Sequence, residues 1–296
     1  MMKKMLKTGL LFLLVGFVLA GIGVANGGLQ TVVWGDGQPQ VRTATTKKTT
    51  SKVSAFHSIQ ADITDGDVIV RPGNDYQVTI NGLPRKDFSI QVRQGKLTIT
   101  QPITHDQYFS MRVFDFERGH QVVITVPHNT KLQSVSLAAK DGDITLSEQT
   151  MTDLAIDSSD GDVTLTTAVV SGTTTIKALD GDVTVNDNQL QKTGLTSRDG
   201  DVVLRQVTLT GGTIDLSDGD FTAHDSIFNK TVRVSNSDGD NTVTGADQQK
   251  GYTVHSADDD NSLFGKHQED GGTLTHNADA ADHLYLNSSD GDNSVR

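Results

Sequence analysis

An Asp-Gly-Asp triplet recurs along this chain at nearly constant spacing. The central glycines, in chain order, are Gly66, Gly142, Gly161, Gly181, Gly200, Gly219, Gly239 and Gly291. A variant triplet, Asp-Asp-Asp, is centred on Asp259, and from residue 142 to residue 259 successive centres are 19 or 20 residues apart. A short repeat of fixed length is typical of units that bury their apolar face only by stacking on one another. The period therefore predicts a repeat architecture.

Apolar residues keep the same register around every triplet. Four residues before the first Asp stand Leu137, Ile156, Ile176, Leu195, Ile214, Val234, Val254 and Leu286. One residue after the last Asp stand Ile144, Val163, Val183, Val202 and Phe221, and then Asn241, Asn261 and Asn293. Each repeat is thus predicted to be strand, turn, strand, and no sustained period of 3.6 predicts a helix after the N-terminus. Stacked asparagines form hydrogen-bonded ladders, which we expect at the three Asn positions.

Two all-β geometries fit this pattern. In a β-solenoid with coils of 19–20 residues, the triplets stack into one corner at an inter-strand spacing of about 4.8 Å. Glycine then supplies a backbone with φ > 0, and the aspartates bond nearby turn amides. The alternative is an antiparallel β-meander, because Asp-Gly is also a hairpin turn. We predict the solenoid, preceded by an N-terminal transmembrane helix, with the meander as the alternative.

The first 30 residues read as a targeting segment. Lys3, Lys4 and Lys7 precede an uncharged, mostly apolar run. A membrane anchor needs about 20 such residues, whereas a cleaved signal peptide needs a shorter run and a small-residue cleavage site. We predict a single-pass membrane protein with its C-terminal domain outside the cell; the alternative is secretion. In both cases the lysines stay inside.

Three further segments follow. Residues 31–52 are predicted to be a polar, basic linker, because they lack apolar periodicity. Residues 53–128 alternate with period two and are predicted to be an N-terminal β segment. Within it, residues 107–116 are rich in aromatics and are predicted to cap one end of the β stack; the alternative is a partner-binding patch. Residues 129–296 are predicted to be the Asp-Gly-Asp repeat solenoid.

Charge and composition exclude several classes of protein. Of 25 Lys and Arg residues, seven lie in 1–56 with one acidic residue, which leaves 18 basic and 36 acidic residues in 57–296. A segment this acidic does not bind nucleic acid by neutralising phosphates. The chain has no cysteine, so disulfides, thiolate zinc sites and cysteine nucleophiles are excluded.

The sequence resembles a family of bacterial surface proteins known as "putative adhesins". The resemblance rests on the Lys-flanked apolar N-terminus, "GKLTIT", "VVITVP" and the repeated "DGDVTL"-type turns, and it covers residues 53–296. Members include LiaG-like and YvlB-like proteins of Gram-positive bacteria, often encoded near envelope-stress systems. The resemblance implies a β-solenoid-like fold outside the membrane and transfers no catalytic residue to this chain.

The stacked aspartates are the candidate ligand site. Carboxylates and backbone carbonyls suit calcium, and the candidate calcium ladder consists of Asp160, Asp162, Asp180, Asp182, Asp199, Asp201, Asp218, Asp220, Asp238 and Asp240. The alternative is that the triplets only form turns. The sequence contains neither the glycine-rich calcium nonapeptide nor the twelve-residue calcium loop.

Three functions remain open. The first is a non-catalytic cell-surface protein with a role in adhesion or envelope stress, whose partners would be cationic peptides, cell-wall polymer or a host surface. The second is a structural spacer stiffened by calcium. The third is a β-helix enzyme acting on polysaccharides, which would need a cleft with an Arg or Lys beside the carboxylates. No cofactor is expected, apart from calcium if the ladder binds it.

Overall fold

The computed structural model describes residues 13–19, 22, 31–35, 38–42, 48–101 and 120–296. The chain divides into two compact units. One consists of 1–46 and 104–118, and the other of 47–103 and 119–296.

In the first unit, residues 13–19 are helical, and strands β1 (Thr31–Gly35) and β2 (Gln38–Arg42) form an antiparallel hairpin. Among the described residues, no helix combines the length and apolar character needed to cross a membrane. Most of the predicted anchor, 1–30, lies outside these residues, and so does the predicted aromatic cap at 107–116.

The second unit is all-β, apart from a single 3-10 turn at Arg85–Asp87 within its described residues. Its first strands are β3 (Thr49–Lys52), β4 (Ser58–Asp65), β5 (Asp67–Gly73), β6 (Gln77–Asn81), β7 (Ser89–Arg93), β8 (Lys96–Thr100) and β9 (Gln121–Pro127). Three strands, β1 to β3, lie in the segment predicted to be a linker. β3 pairs antiparallel with β6, and the hydroxyls of Thr50 and Thr79 lie 3.0 Å apart across that pair.

The repeats alternate long and short strands. They are β10 (Lys131–Asp141), β11 (Ile144–Ser147), β12 (Thr150–Ser158), β13 (Val163–Thr166), β14 (Val169–Val170), β15 (Thr174–Asp180), β16 (Val183–Asn186), β17 (Gln189–Asp199), β18 (Val202–Arg205), β19 (Thr208–Asp218), β20 (Phe221–His224), β21 (Ile227–Asp238) and β22 (Asn241–Thr244). The last strands are β23 (Gly251–Ser256), β24 (Asn261–Leu263), β25 (Lys266–Gln268), β26 (Gly272–His276), β27 (His283–Asp290) and β28 (Asn293–Val295).

These strands form two sheets, each with 13 strands among the described residues. The long-strand sheet has the order β26-β23-β27-β21-β19-β17-β14-β12-β10-β4-β8-β7, with β15 beside β12 and β17. The short-strand sheet has the order β25-β24-β28-β22-β20-β18-β16-β13-β11-β5-β9-β6-β3. Each repeat coil contributes one strand to each sheet, except that β14 and β15 share one coil in the long-strand sheet, and the triplet is the corner that joins the sheets. This is a β-solenoid-like repeat, as the period predicts.

The alternative meander is wrong, because successive repeats pair parallel. Ile176 pairs with Ile156 and Leu195 in the long-strand sheet. Val185, which a hairpin would place opposite Ile176, pairs with Leu165 and Leu204 in the other sheet. The Asp-Gly-Asp turn therefore sends the chain from one sheet to the other.

The core lies between the two sheets. The apolar positions recognised in the sequence form columns that run through the stack, and Ile144, Val163, Val183, Val202 and Phe221 are all fully buried. The column then continues with Asn241, Asn293 and Asn261. Asn241 Nδ2 donates to Asn293 Oδ1 at 2.9 Å, and Asn293 Nδ2 donates to Asn261 Oδ1 at 3.0 Å. The predicted asparagine ladder is confirmed.

The coils do not stack in chain order at either end. The coil of β27 and β28, here called the inserted coil, lies between that of β21 and β22 and that of β23 and β24. At the opposite end, the coil of β4 and β5 lies between β8 and β9 on one side and β10 and β11 on the other. The outermost strands, β3, β7, β25 and β26, pair antiparallel with their neighbours. Antiparallel strands thus end both sheets.

A second corner joins each short strand to the next long strand. From β11 to β20 it uses a non-glycine residue with a left-handed backbone, and after β22 it uses Gly245 with φ 70°. The non-glycine residues with positive φ at this corner, between 47° and 58°, are Glu148, Thr167, Asp187, Gln206 and Asp225. The next residue in each coil is buried: Gln149, Ala168, Asn188, Val207 and Ser226. The sequence gives little sign of this corner, because only Asp among these residues is enriched at positive φ.

The inserted coil contains a buried histidine that makes stability depend on pH. His283 is 4% exposed, and the hydroxyl of Thr253 lies 2.9 Å from its Nε2. Its ring stacks on Tyr285, which also carries the guanidinium of Arg233 over its ring. Burial, and then the positive charge of Arg233, lower the pKa of His283 from 6.5. Folding therefore favours the neutral form of this histidine.

Because the unfolded chain binds this proton more readily, stability is fully present above pH 6.5 and falls as the pH drops below it. One such proton changes the free energy of unfolding by at most about 1.4 kcal/mol per pH unit. Urea titrations at several pH values measure how the free energy of unfolding depends on pH. We expect His283→Gln to lose the part of that dependence that comes from His283. An unchanged slope in the variant would contradict the assignment to His283.

Candidate functional site

The Asp-Gly-Asp triplets form one continuous corner, here called the Asp corner, which consists of the triplets centred on the eight glycines and on Asp259. The first aspartates of successive coils are direct neighbours in the long-strand sheet: Asp180 pairs with Asp199, Asp199 with Asp218, and Asp218 with Asp238. Asp238 in turn pairs with Asp290 of the inserted coil. All of these side chains are exposed.

The second aspartates form a hydrogen-bonded ladder, here called the Asp ladder. In each step, Oδ1 of one aspartate accepts the backbone N–H of the equivalent aspartate in the next coil, at 2.8–3.2 Å. In stacking order its members are Asp67, Asp143, Asp162, Asp182, Asp201, Asp220, Asp240, Asp292 and Asp260. Each side chain thus bonds the turn of the neighbouring coil, whereas the sequence predicted bonds to nearby turn amides.

The ten aspartates proposed from the sequence all lie on the Asp corner. The corner also includes members that were left out of that set: Asp65, Asp67, Asp141, Asp143, Asp258, Asp259, Asp260, Asp290 and Asp292. Six of these belong to the same triplet motif, so the signal was present in the sequence. The position of Asp292 between Asp240 and Asp260 was not, because it depends on the insertion of the last coil.

Glycine is required at the Asp corner because the turns stack very closely. A Cβ added to Gly161 would lie 2.2 Å from the carbonyl oxygen of Gly142, and one added to Gly200 would lie 2.3 Å from that of Gly181. Positive φ, the reason predicted from the sequence, applies to only part of the column: Gly219 has φ 127°, but Gly161 and Gly200 are not in the left-handed region. Close approach of the backbone is the common reason.

The terminal triplet, Asp258 to Asp260, has Asp259 in place of the central glycine and still stacks on the neighbouring turn. Asp259 Oδ2 accepts the backbone N–H of Gly291 at 2.7 Å. In the repeats, the equivalent N–H donates to a backbone carbonyl, as Gly239 does to Asp290. The carboxylate of Asp259 therefore takes the place of a main-chain acceptor at the end of the column.

Electrostatics and hydrogen bonding oppose each other along the Asp ladder. Two carboxylates about 4.8 Å apart repel by roughly 1 kcal/mol in water and by about 3–4 kcal/mol at an effective dielectric constant near 20. Each hydrogen bond to a charged acceptor contributes about 1.5–3 kcal/mol. Exposure of the carboxylates keeps the repulsion near its lower value, so the bonds sustain the ladder.

This balance predicts different results for two substitutions of Asp201, whose Oδ1 accepts the N–H of Asp220 at 2.8 Å. Asp201→Ala removes the acceptor, and we expect it to lower the free energy of unfolding by about 1–2 kcal/mol. Asp201→Asn keeps an acceptor oxygen and removes one charge, so its stability should equal or exceed that of the native chain at low salt. Urea denaturation measures both. Equal losses in the two variants would show that the charge, not the acceptor, matters.

The structure brings together the ten aspartates of the calcium ladder proposed from the sequence, but it arranges them in columns and not in clusters around one point. Among the described residues, no three Asp, Glu or His side chains converge so that they could hold one metal ion. In every ladder aspartate except the last, Asp260, Oδ1 already accepts an amide N–H, and Oδ2 of Asp67 also accepts a hydrogen bond from Gln121 Nε2 at 3.3 Å. Lys140 and Arg198 each precede a first aspartate.

A catalytic cleft would need a basic residue beside carboxylates. A shallow depression lies on the long-strand sheet near the inserted coil. Its lining side chains include Asp215, His255 and Asn287 together with several serines, and no Lys or Arg is among the residues that line it. This depression does not have the constellation that the polysaccharide-acting alternative requires.

Comparison with known proteins places this geometry in a family. The model of the Toastrack DUF4097 family matches residues 56–296. Among solved structures, a "putative adhesin" from Bacteroides fragilis NCTC 9343 has a TM-score of 0.50 at 15% identity, covering 84% of this chain and 96% of its own.

A "putative adhesin" from Parabacteroides distasonis ATCC 8503 has a TM-score of 0.48 at 10% identity, again covering 84% and 96%. No curated protein matches the chain. The family match spans all the coils of the stack, and it confirms the resemblance seen in the repeated turns: this chain belongs to the Toastrack DUF4097 family.

Proposed function

We propose that this protein is a non-catalytic adhesion protein of the cell surface whose Asp corner is the contact surface for cationic partners. The observation that carries the proposal is the double column of carboxylates, most of them exposed, along one edge of the stack. The name of the Bacteroides fragilis structure, "putative adhesin", agrees with such a role.

The partner class follows from charge and spacing. A column of carboxylates focuses a negative potential along one line and attracts polycations in a salt-dependent manner. Cationic peptides are the partners of choice, because an extended chain can follow the edge over many coils. We place the domain outside the cell, anchored by the N-terminal segment, with adhesion or an accessory role in envelope stress as its task.

The test uses oligolysine as the probe and a neutral peptide of equal length as its control. The variant replaces Asp182, Asp201, Asp220 and Asp240 with Asn, which keeps the ladder acceptors. Binding is measured by calorimetry on the full chain at physiological ionic strength. We expect oligolysine to bind the native chain more tightly than the neutral peptide does, and the variant to lose most of that difference.

A matched variant separates position from net charge. It replaces Asp187, Asp225, Asp247 and Asp279 with Asn, which are exposed and lie away from the Asp corner. This control variant has the same net charge and should bind oligolysine as the native chain does. Equal losses in both variants would reduce the effect to overall charge, and no binding by the native chain would end the proposal.

The calcium-stiffened spacer remains the second candidate, and the observation that favours it is the stacking of exposed ladder carboxylates such as Asp182, Asp201 and Asp220 in successive coils. A ligand that binds only the folded state raises the melting temperature. Calcium should therefore raise it well above the value with magnesium at matched ionic strength. Identical melting curves in calcium, magnesium and chelator would remove this candidate and leave the cationic-peptide proposal standing.

A further inference from the structure

Eight Asp-Gly bonds lie on the Asp corner, and Asp-Gly is the peptide bond most open to internal attack. Because glycine has no side chain, its amide nitrogen reaches the side-chain Cγ of the preceding aspartate. The attack forms a five-membered succinimide and releases one water. Water then opens the ring at either carbonyl, which gives back aspartate or gives isoaspartate, with no net change in mass.

The stack restrains this nitrogen in most coils. Attack needs a deprotonated amide nitrogen that turns toward Cγ, and a hydrogen bond from that N–H to another coil opposes both. The glycines that donate such a bond are Gly66 to Asp141 O, Gly181 to Asp199 O, Gly200 to Asp218 O, Gly219 to Asp238 O, Gly239 to Asp290 O and Gly291 to Asp259 Oδ2. Their distances are 2.7–3.3 Å.

Two glycines of the column differ from the rest. Within the part of the chain that the structure describes, the amide nitrogens of Gly142 and Gly161 donate no hydrogen bond. The pairing of β10 with β12 ends at Ala139 and Ser158, before the aspartates. The next contacts run from Asp160 N to Lys140 O and from Asp180 N to Ser159 O, so neither reaches a glycine nitrogen.

The attacked groups are also accessible at these two positions. The side chains of Asp141 and Asp160 are exposed, so their carboxyl groups can rotate toward the following nitrogen. Neither carboxyl is held in an ion pair in the described residues, although Lys140 is adjacent in sequence. In two neighbouring coils, therefore, no hydrogen bond holds the glycine nitrogen and no ion pair holds the preceding carboxyl group.

We propose that Asp141-Gly142 and Asp160-Gly161 are sites of spontaneous isomerisation to isoaspartate, and that the stack protects the other six Asp-Gly bonds. This inference does not depend on the proposed adhesion function. Isoaspartate adds one backbone atom at corners where even an added Cβ would lie 2.5 Å (Gly142) or 2.2 Å (Gly161) from the neighbouring glycine. Isomerisation therefore opens the corner and breaks the step of the Asp ladder between Asp143 and Asp162.

The test incubates the folded full chain at mildly acidic pH in water enriched in heavy oxygen. Ring opening inserts one oxygen from water, so every bond that passed through succinimide gains two mass units in peptide mapping. One hydrogen bond changes an equilibrium by about five- to ten-fold. We expect label and isoaspartate at the two proposed bonds to accumulate at least that much faster than at the other six.

Two comparisons make the outcome decisive. In denaturant the stacked turns unfold, so the rates of succinimide formation at the eight Asp-Gly bonds should become equal. Asp141→Glu with Asp160→Glu replaces the five-membered ring with a slower six-membered one, so the fast phase should disappear from the folded chain. Equal labelling of all eight bonds in the folded protein, or faster labelling at the six bonded glycines, would overturn the proposal.

Discussion

Gly200→Ala is expected to lower the free energy of unfolding by about 2–3 kcal/mol, the range for forcing extra volume into a packed region. The added Cβ would lie 2.3 Å from Gly181 O and 2.7 Å from Gly181 C, both backbone atoms that no rotamer change can move. The strands on either side of the corner are paired to neighbouring coils, so the backbone cannot shift locally to relieve the clash. Chemical denaturation of the full chain measures the loss.

Gly194→Ala is the matched control. Gly194 lies in the same coil, in the long strand that leads to the Asp corner, and an added Cβ would meet nothing within 4 Å. We expect this substitution to be neutral or to stabilise the fold by a few tenths of a kcal/mol, because alanine has less freedom than glycine in the unfolded chain. A similar loss in both variants would show that the strand, not the stacked turn, requires glycine.

Asn293→Ala is expected to cost about 3–4 kcal/mol, because a buried hydrogen-bonding group without a partner costs about 1–3 kcal/mol. Asn293 is fully buried between Asn241 and Asn261, and it also donates to the carbonyl oxygen of His255 at 2.9 Å. The alanine would strand the Nδ2 of Asn241 and the Oδ1 of Asn261. Thermal and urea unfolding should show the loss together.

Replacing all three asparagines with valine provides the rescue. Earlier coils have Val163, Val183 and Val202 at this position of the column, and replacing both partners of a hydrogen bond by apolar groups is close to neutral. The triple variant leaves no amide of the column without a partner, but it removes the side-chain donors to the carbonyl oxygens of His255 and Gly272. It should therefore recover part of the stability lost in Asn293→Ala. A triple variant less stable than the single one would mean that the ladder contributes more than the satisfaction of its own groups.

The repeat period predicted much of the fold. Equivalent residues 19 or 20 positions apart, such as Ile156 and Ile176, do become neighbours in one sheet. The inward column, the asparagine ladder and the gathering of the aspartates on one corner follow from the same register. These features are predictable because a period-two strand fixes which face each residue occupies.

Other features could not be found in this way. The second corner uses residues such as Gln206 with φ 55°, and such residue types do not predict a left-handed backbone. The strand β3, in the predicted linker, forms because β6 offers an edge on which it can pair. Both depend on neighbours distant in sequence, which local patterns do not reveal.

The candidate site shows the same division between sequence and structure. The sequence by itself determined which residues form the Asp corner, because the triplet and its spacing place every member at the same point of the coil. The direction of the bonds, from each Asp ladder member to the next coil, was decided by the approach of the stacked turns.

Tertiary structure alone decided the order of the coils. The triplet of Gly291 is last in the chain, yet it stacks between those of Gly239 and Asp259. A strand register fixes which face of a coil is buried, and it is identical for every coil, so it does not say which coil is the neighbour. The neighbours of each coil are set by tertiary contacts at the ends of the stack. There the chain forms antiparallel strands, and the coil of β27 and β28 lies between two earlier coils.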